Sequence, residues 1–144
     1  MKNIEPGLAH FHVPELGGWV PDKRVGMGWV NYHQQMVHDG MLSAGYGEGE
    51  FFMLSRGYWA GGQRYGASLW SGDVNSTWEE LALQVKVAQS TALSGVPYWT
   101  TDIGGFKNGD PTDPNFRELI VRWFQFGAFC PLFRLHGHRD GPGE

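Results

Sequence analysis

Several features that would define a function class at once are missing from this 144-residue sequence. A single cysteine, Cys130, excludes an intrachain disulfide and leaves no cysteine pair for a zinc finger. No apolar run approaches the roughly 18 residues of a membrane-spanning helix, so a membrane is not an expected partner. The 11 basic residues form no stripe among the 15 acidic ones, which argues against a nucleic-acid partner. The first 18 residues contain no signal-peptide core, and the compartment stays unknown.

Glycine and aromatic residues, by contrast, are abundant: the chain has 22 glycines, and 15% of its residues are aromatic. Prolines and glycines interrupt the first part of the sequence, so residues 1–47 are expected to form an irregular, loop-rich leader. Within it, "NYHQQMVHDGML" predicts a short helix with Tyr32, Met36 and Val37 facing inward. Regular structure is expected over 48–138.

Strand and helix patterns alternate after this leader. Apolar runs bounded by turn residues predict strands over 48–56, 64–73, 96–105 and 130–135. One helix is predicted from the capping box of Ser76 and Glu79, and another from Asp113 with Pro114 in its first turn. This order is typical of parallel βαβ units in an α/β protein. Four strands are about half of a (β/α)₈ barrel, so 1–144 is expected to be a fragment of one catalytic domain.

Polar residues collect where the predicted strands end. Alone, each is as well explained as a turn or surface residue, but the carboxyl ends of barrel strands form the face that carries chemistry. The polar residues at these positions are Arg56, Asp73, Asp102, Arg134 and His136. The aromatic residues near them in sequence are Trp59, Trp70, Tyr98, Trp99 and Phe106. Flat aromatic faces suit sugar rings, and two carboxylates flanking a sugar bond make a glycosidase, so Asp73 and Asp102 are one candidate pair.

Three motifs carry a family resemblance. "LSRGYWAGGQRYGASLWSGDVNSTWEEL", "SGVPYWTTDIGGF" and "ELIVRWFQFGAFCPLFRLHGH" resemble glycoside hydrolase family 31, in the family's order, over about 51–138. This family holds α-glucosidases, α-xylosidases and related transglycosylases. The resemblance implies a (β/α)₈ barrel, a retaining mechanism on α-linked glycosides or oligosaccharides, and no cofactor.

The resemblance also assigns roles to single residues. Asp73 stands in the W-x-G-D motif and matches the family's acid/base. Arg56 matches an active-site arginine near both catalytic carboxylates. The residues that match the sugar-binding positions, or lie beside them, are Trp70, Asp102, Arg134 and His136. Asp102 is therefore interpreted as a binding residue rather than as the nucleophile.

The nucleophile is the missing part of this pattern. The family places it in a W-x-D-x-x-E-type motif on the strand before "FFMLSR", but residues 1–50 hold only Asp22 and Asp39, in other contexts. The chain alone is therefore expected to be inactive and, as half a barrel, to self-associate. A second hypothesis is a non-catalytic carbohydrate-binding fragment. A third is a metal protein, which the six histidines, His10, His12, His33, His38, His136 and His138, support only weakly.

Overall fold

The computed structural model describes residues 10–139, which contain a hairpin, a small parallel sheet and four α-helices. The strands are β1 (His10–Val13), β2 (Gly18–Pro21), β3 (Met53–Ser55), β4 (Ala67–Trp70) and β5 (Trp99–Thr100). The helices are α1 (Asp22–Val25), α2 (Trp29–Ser43), α3 (Trp78–Leu93) and α4 (Pro114–Gly127). Short 3₁₀ segments cover Pro14–Leu16, Gly26–Gly28 and Gly62–Tyr65.

The parallel sheet has the strand order β3-β4-β5, with β4 in the centre. Ser55 of β3 lies opposite Leu69 of β4, and Trp70 of β4 lies opposite Thr100 of β5. Because all three strands run in the same direction, their carboxyl ends meet at one edge of the sheet. The parallel α/β arrangement predicted from the sequence is therefore confirmed for these three strands.

The predicted fourth strand over 130–135 is wrong. In its place the structure has one isolated parallel bridge, between Ile103 and Leu135, with the Ile103 N–H donating to the Arg134 carbonyl at 3.3 Å. Beside this bridge, the Thr100 hydroxyl donates to the Leu132 carbonyl at 2.8 Å, so a side chain rather than a backbone N–H bonds this segment to β5.

The other strands are shorter than predicted. β3 begins at Met53 rather than at residue 48, because the preceding residues form a turn. In that turn Gly49 has a φ of 82°, and the Glu50 carboxylate accepts the Gly47 N–H at 2.7 Å. Acidic residues that bond their own backbone favour turns over strands, and this local chemistry outweighed the apolar run behind it.

The expectation of an irregular leader over 1–47 is also wrong for its described part, residues 10–47. β1 and β2 pair antiparallel, and the 15-residue helix α2 follows. The prolines mark element boundaries: Pro14 opens a 3₁₀ turn, and Pro21 directly precedes α1. The regular structure therefore begins well before residue 48.

The buried face of α2 differs from the predicted one. Tyr32 and Met36 are 41% and 63% exposed, whereas Val30 and Gln34 are buried. Val30, Gln34 and Val37 are spaced at i, i+4 and i+7, which is also a helical stripe. Because the middle residue of this stripe is a glutamine, the apolar pattern alone does not predict it.

The start of α3 is shifted by one residue from the predicted capping box. Thr77, not Ser76, is the N-cap, and its hydroxyl oxygen accepts the Glu80 N–H at 3.1 Å. Ser76 instead donates its N–H to the Lys107 carbonyl at 2.9 Å, and this bond ties the start of α3 to the loop after β5. The start of α4 is as predicted, with the Asp113 carboxylate accepting the Asn115 N–H at 2.9 Å.

The main apolar core lies between α4 and the segment after β5. Its buried members are Ile103, Phe116, Leu119 and Trp123, and the partly buried residues against them are Val74, Leu81, Ile120 and Phe126. This core holds α3 and α4 against the turn that follows β5. Among residues 10–139, no helix is long and apolar enough to cross a membrane.

The exposed apolar surface predicts self-association of the isolated chain. Phe129, Leu93 and Trp19 are 91%, 90% and 72% exposed, and the outer edge of β3 has no strand partner among residues 10–139. Unpaired edges and large apolar side chains favour intermolecular contacts. We expect dimers or larger species in light scattering coupled to size exclusion, and a lower association constant for Phe129→Ser. A proven monomer with a sharp cooperative unfolding transition is the contrary result.

Candidate active site

Asp73 lies in a turn at the carboxyl end of β4. The Ser71 N–H donates to the Thr100 carbonyl at 3.0 Å, which extends the strand pairing by one residue. Gly72 then adopts a φ of 78°, a left-handed conformation that suits glycine, and turns the chain. Because Thr77 caps α3, the helix does not use the Asp73 carboxylate. Asp73 is thus held at the strand end with its side chain available for chemistry.

Arg56 faces Asp73 from the end of the neighbouring strand. It follows directly after β3, and its Nη1 lies 3.5 Å from Asp73 Oδ1. The two side chains are 54% and 31% exposed. Ion pairs with this much solvent contact contribute at most about 1 kcal/mol to stability. The pair therefore matters for the local charge around Asp73 more than for folding.

Asp102 follows β5 in the same way, but it is fully buried. Its Oδ1 accepts a hydrogen bond from Arg134 Nη2 at 2.6 Å, and its exposure is 0%. Burial raises the pKa of this carboxyl above its ordinary value. The charges of Arg134 and His136 act in the opposite direction, while the charge of Asp73 adds to the increase in the pKa. Asp102 and Arg134 thus form an ion pair beyond β5, at the edge of the sheet where Asp73 also lies.

The turn after Asp102 needs its two glycines. Gly104 and Gly105 have φ values of 88° and 79°, and a Cβ on Gly105 would lie 2.7 Å from the backbone of Ser76. The Arg139 guanidinium fixes this turn by donating to the Gly105 and Ile103 carbonyls at 2.8 and 3.2 Å. The close approach brings the Asp102 turn against the chain between Asp73 and α3.

Trp70 lies beside both arginines of the site. The guanidinium carbons of Arg56 and Arg134 lie 5.5 and 5.8 Å from the centre of its ring, within the range of cation–π attraction. The His136 ring lies 5.3 Å from that of Phe106, which follows the Asp102 turn. Trp70 Nε1, Arg134 Nε and Asp102 Oδ2 are buried and have no hydrogen-bond partner among residues 10–139.

The structure thus brings together the six residues singled out from the sequence, but only some of the aromatic ones. Tyr98 lines a different pocket with Phe51 and Phe52, residues that precede the strands and so mark the opposite end of the sheet. Trp99 is buried in the sheet at 3% exposure. The expectation that both belong to the sugar pocket is wrong, because Tyr98 precedes β5 at the other end of the sheet and Trp99 is enclosed within the sheet.

The carboxylates and histidines of the first part of the chain lie in other places. Asp22 begins α1, and the side chain of Asp39 on α2 is 59% exposed. Several histidines pack against aromatic rings, including His12 on Trp19 and His38 on Phe51. Within residues 10–139 no three His, Cys, Asp or Glu side chains are grouped so that they could hold a metal ion. The metal hypothesis gains no support from this part of the chain.

Comparison with known families identifies the domain. The model of the glycosyl hydrolases family 31 TIM-barrel domain matches residues 12–144. This chain belongs to glycosyl hydrolase family 31. The family resemblance read from the three motifs is confirmed, and the parallel strands β3, β4 and β5 with their helices belong to a family 31 TIM-barrel domain.

Several family 31 relatives are similar to this chain. The crystal structure of a soil-metagenome α-xylosidase complexed with xylose superposes with a TM-score of 0.79 at 43% identity, covering 93% of this chain and 21% of that one. An uncharacterised family 31 glucosidase of Pseudescherichia vulneris is 44% identical over 83% of this chain and 22% of its own length. An α-xylosidase of Saccharolobus solfataricus is 47% identical over 59% of this chain and 12% of its own. The chain therefore spans about a fifth or less of these relatives.

Two residues near this family 31 site were missed in the sequence. Gln34 of α2 donates to Ser55 and Gly57, the two neighbours of Arg56, and Arg139 fixes the turn after Asp102. The stripe of Val30, Gln34 and Val37 was a usable signal for the glutamine. Arg139 had no such signal, because its partners are backbone carbonyls 34 and 36 residues away.

The buried carboxyl of Asp102 predicts a measurable pH dependence. Since its pKa is raised in the folded chain, the folded state holds the proton more tightly than the unfolded state. The contribution of Asp102 to the free energy of unfolding is therefore larger below its ordinary pKa and is lost as the pH rises through the folded value. Carboxyl ¹³C NMR should show Asp102 titrating above its ordinary range, and Arg134→Met should raise the pKa further.

Asp110 provides the internal control in the same spectra. Its hydrogen bonds from the Thr112 hydroxyl and N–H hold the pKa of that carboxyl below its ordinary value. Arg134→Met should leave the titration of Asp110 unchanged. An Asp102 pKa that is ordinary, or that does not respond to loss of Arg134, contradicts the assigned balance of burial and ion pairing.

Proposed function

We propose that this chain supplies the acid/base part of the active site of a retaining glycoside hydrolase, with Asp73 as the proton donor. The observation that carries the proposal is the placement of Asp73 at the carboxyl end of β4, 3.5 Å from Arg56 and beside Trp70. Membership of family 31 supports the reaction class. The second catalytic carboxylate, the nucleophile, comes from a part of the enzyme outside this chain.

The reaction takes place in two steps. In the first, Asp73 gives its proton to the glycosidic oxygen, the bond from that oxygen to the anomeric carbon breaks, and the nucleophilic carboxylate forms an ester with this carbon. In the second, ionised Asp73 removes a proton from water. The water oxygen bonds to the anomeric carbon, and the ester bond to the nucleophilic carboxylate breaks. Asp73 ends protonated and the nucleophile ends as a carboxylate, so both are ready for another cycle. The positive charge of Arg56 offsets part of the negative charge of the two catalytic carboxyl groups.

The remaining residues of the site bind the sugar. The Trp70 ring offers an apolar wall, and the partly exposed Arg134 guanidinium and the exposed His136 ring offer hydroxyl partners. Buried Asp102 fixes the direction of the Arg134 guanidinium through their 2.6 Å hydrogen bond. An α-linked xyloside or glucoside is the proposed substrate class. The α-xyloside is the first to test, because the α-xylosidase with xylose covers 93% of this chain.

The acid/base assignment predicts the behaviour of Asp73→Asn in the full-length enzyme. Loss of a general acid costs about 10²- to 10⁴-fold in rate on glycosides with poor leaving groups. Aryl glycosides with very acidic leaving groups need no protonation and should still form the covalent intermediate, seen as a burst of phenol and by mass spectrometry. Asp39→Asn, at an exposed acid on α2, is the matched control with wild-type rates. Equal losses of rate on both substrate types would contradict the assignment of Asp73 as the acid/base.

A carbohydrate-binding role is the second candidate for the chain alone. Among residues 10–139, Asp102 is the other carboxyl that follows a parallel strand, but it is fully buried and ion-paired to Arg134 and thus poorly placed to attack a sugar. We expect the isolated 144-residue chain to release no phenol from aryl α-xylosides or α-glucosides. Measurable turnover, abolished by Asp73→Asn, would show instead that the chain has its own nucleophile.

A further inference from the structure

Helix α2 buries two residues, Val30 and Gln34, and both contact the short turn that carries Arg56. Gln34 Nε2 donates to Ser55 Oγ at 3.2 Å and to the Gly57 carbonyl at 3.0 Å. A Cβ built on Gly57 would lie 3.0 Å from Val30 Cγ2, so the backbone of the turn is pressed against the helix. The buried face of α2 is therefore formed around the residues on either side of Arg56.

Gln34 is an unusual residue for this position. Its exposure is 0%, and a buried amide is costly unless its hydrogen bonds are made. An apolar side chain of similar length fits a core without that cost, so packing alone does not account for a glutamine. What the amide adds is two donors aimed at the turn, where the Ser55 hydroxyl also donates to the Gly57 carbonyl at 2.6 Å.

The other side of the amide is enclosed as well. A Cβ on Gly62 would lie 2.5 Å from Gln34 Oε1, so the 3₁₀ segment Gly62–Tyr65 packs closely over the side chain. Gln34 Oε1 has no hydrogen-bond partner among residues 10–139, so the amide is held by its two donor bonds and by this packing. It lies under a turn whose middle residue, Arg56, is itself 54% exposed. The hydrogen bonds among Gln34, Ser55 and Gly57, called here the glutamine network, hold the turn under Arg56.

We infer that Gln34 is a positioning residue for Arg56: its amide fixes Ser55 and Gly57 so that the guanidinium stays beside Asp73 and Trp70. This inference rests on the proposed function, because it gives α2 a role in catalysis through Arg56. Gln34 itself touches no reacting atom. Without the two bonds the turn gains freedom, and Arg56 leaves the position in which it offsets charge at Asp73.

A double-mutant cycle in the full-length enzyme tests the inference. Gln34→Met keeps the length of the side chain and removes the donors, and Gln35→Met, at the exposed neighbouring glutamine, is the matched control. We expect Gln34→Met to lower kcat about ten- to a hundredfold, since small displacements of catalytic groups cost this much, with a smaller change in KM. In an Arg56→Gln background the same substitution should change kcat less than threefold. An equal loss in both backgrounds overturns the inference.

Amide hydrogen exchange at residues 55–57 gives a readout that does not depend on activity. It should quicken at least tenfold in Gln34→Met and in Ser55→Ala, which removes one acceptor, but not in Gln35→Met. Unchanged exchange in both variants contradicts the role of the network even if one of them is unstable. If the wild-type enzyme hydrolyses no glycoside while exchange responds as described, the proposed function fails and the fixing of the turn stands.

Discussion

The parallel pairing of β4 with both of its neighbours is the constraint on which the site depends. It aligns Ser55 with Leu69 and Trp70 with Thr100, so that the residues following three separate strands emerge at one edge. Arg56, Asp73 and Asp102 are far apart in sequence, yet each stands one to three residues beyond a paired strand. An antiparallel neighbour would send one of them to the opposite edge, where Tyr98 and the phenylalanines before β3 lie.

Trp70 contacts the charged residues that follow the neighbouring strands. It is the last residue of β4, and its indole ring lies within cation–π range of both arginines that pair with Asp73 and Asp102. A guanidinium is weakly hydrated and stacks well on an aromatic face, so the ring holds two cations near each other at little cost in hydration. The two ion pairs are therefore linked through a neutral side chain rather than through a shared carboxylate.

The sequence predicted the parts of this site that follow from strand ends and motifs. Arg56, Asp73 and Asp102 were placed correctly because a polar residue after an apolar run marks the end of a strand in parallel α/β proteins. The fourth strand was wrong because its segment is joined to the sheet by one backbone bridge and one bond from the Thr100 hydroxyl rather than by a ladder. The loop-rich leader was wrong because its prolines mark element boundaries rather than loops. Gln34 was missed because hydrophobic periodicity does not count a polar residue as core. Its partners, 21 and 23 residues away, are set only by the tertiary fold.

The two aspartates differ in burial, and this difference determines which of them a ligand can reach. Asp102 has no exposed surface and accepts a hydrogen bond from Arg134 at 2.6 Å, so its carboxyl is poorly placed to attack a sugar carbon. Asp73 is 31% exposed and lies 3.5 Å from Arg56, so its carboxyl is within reach of a ligand or of water. The same edge of the sheet thus carries one enclosed carboxyl that an arginine fixes, and one open carboxyl that faces an arginine at a longer distance.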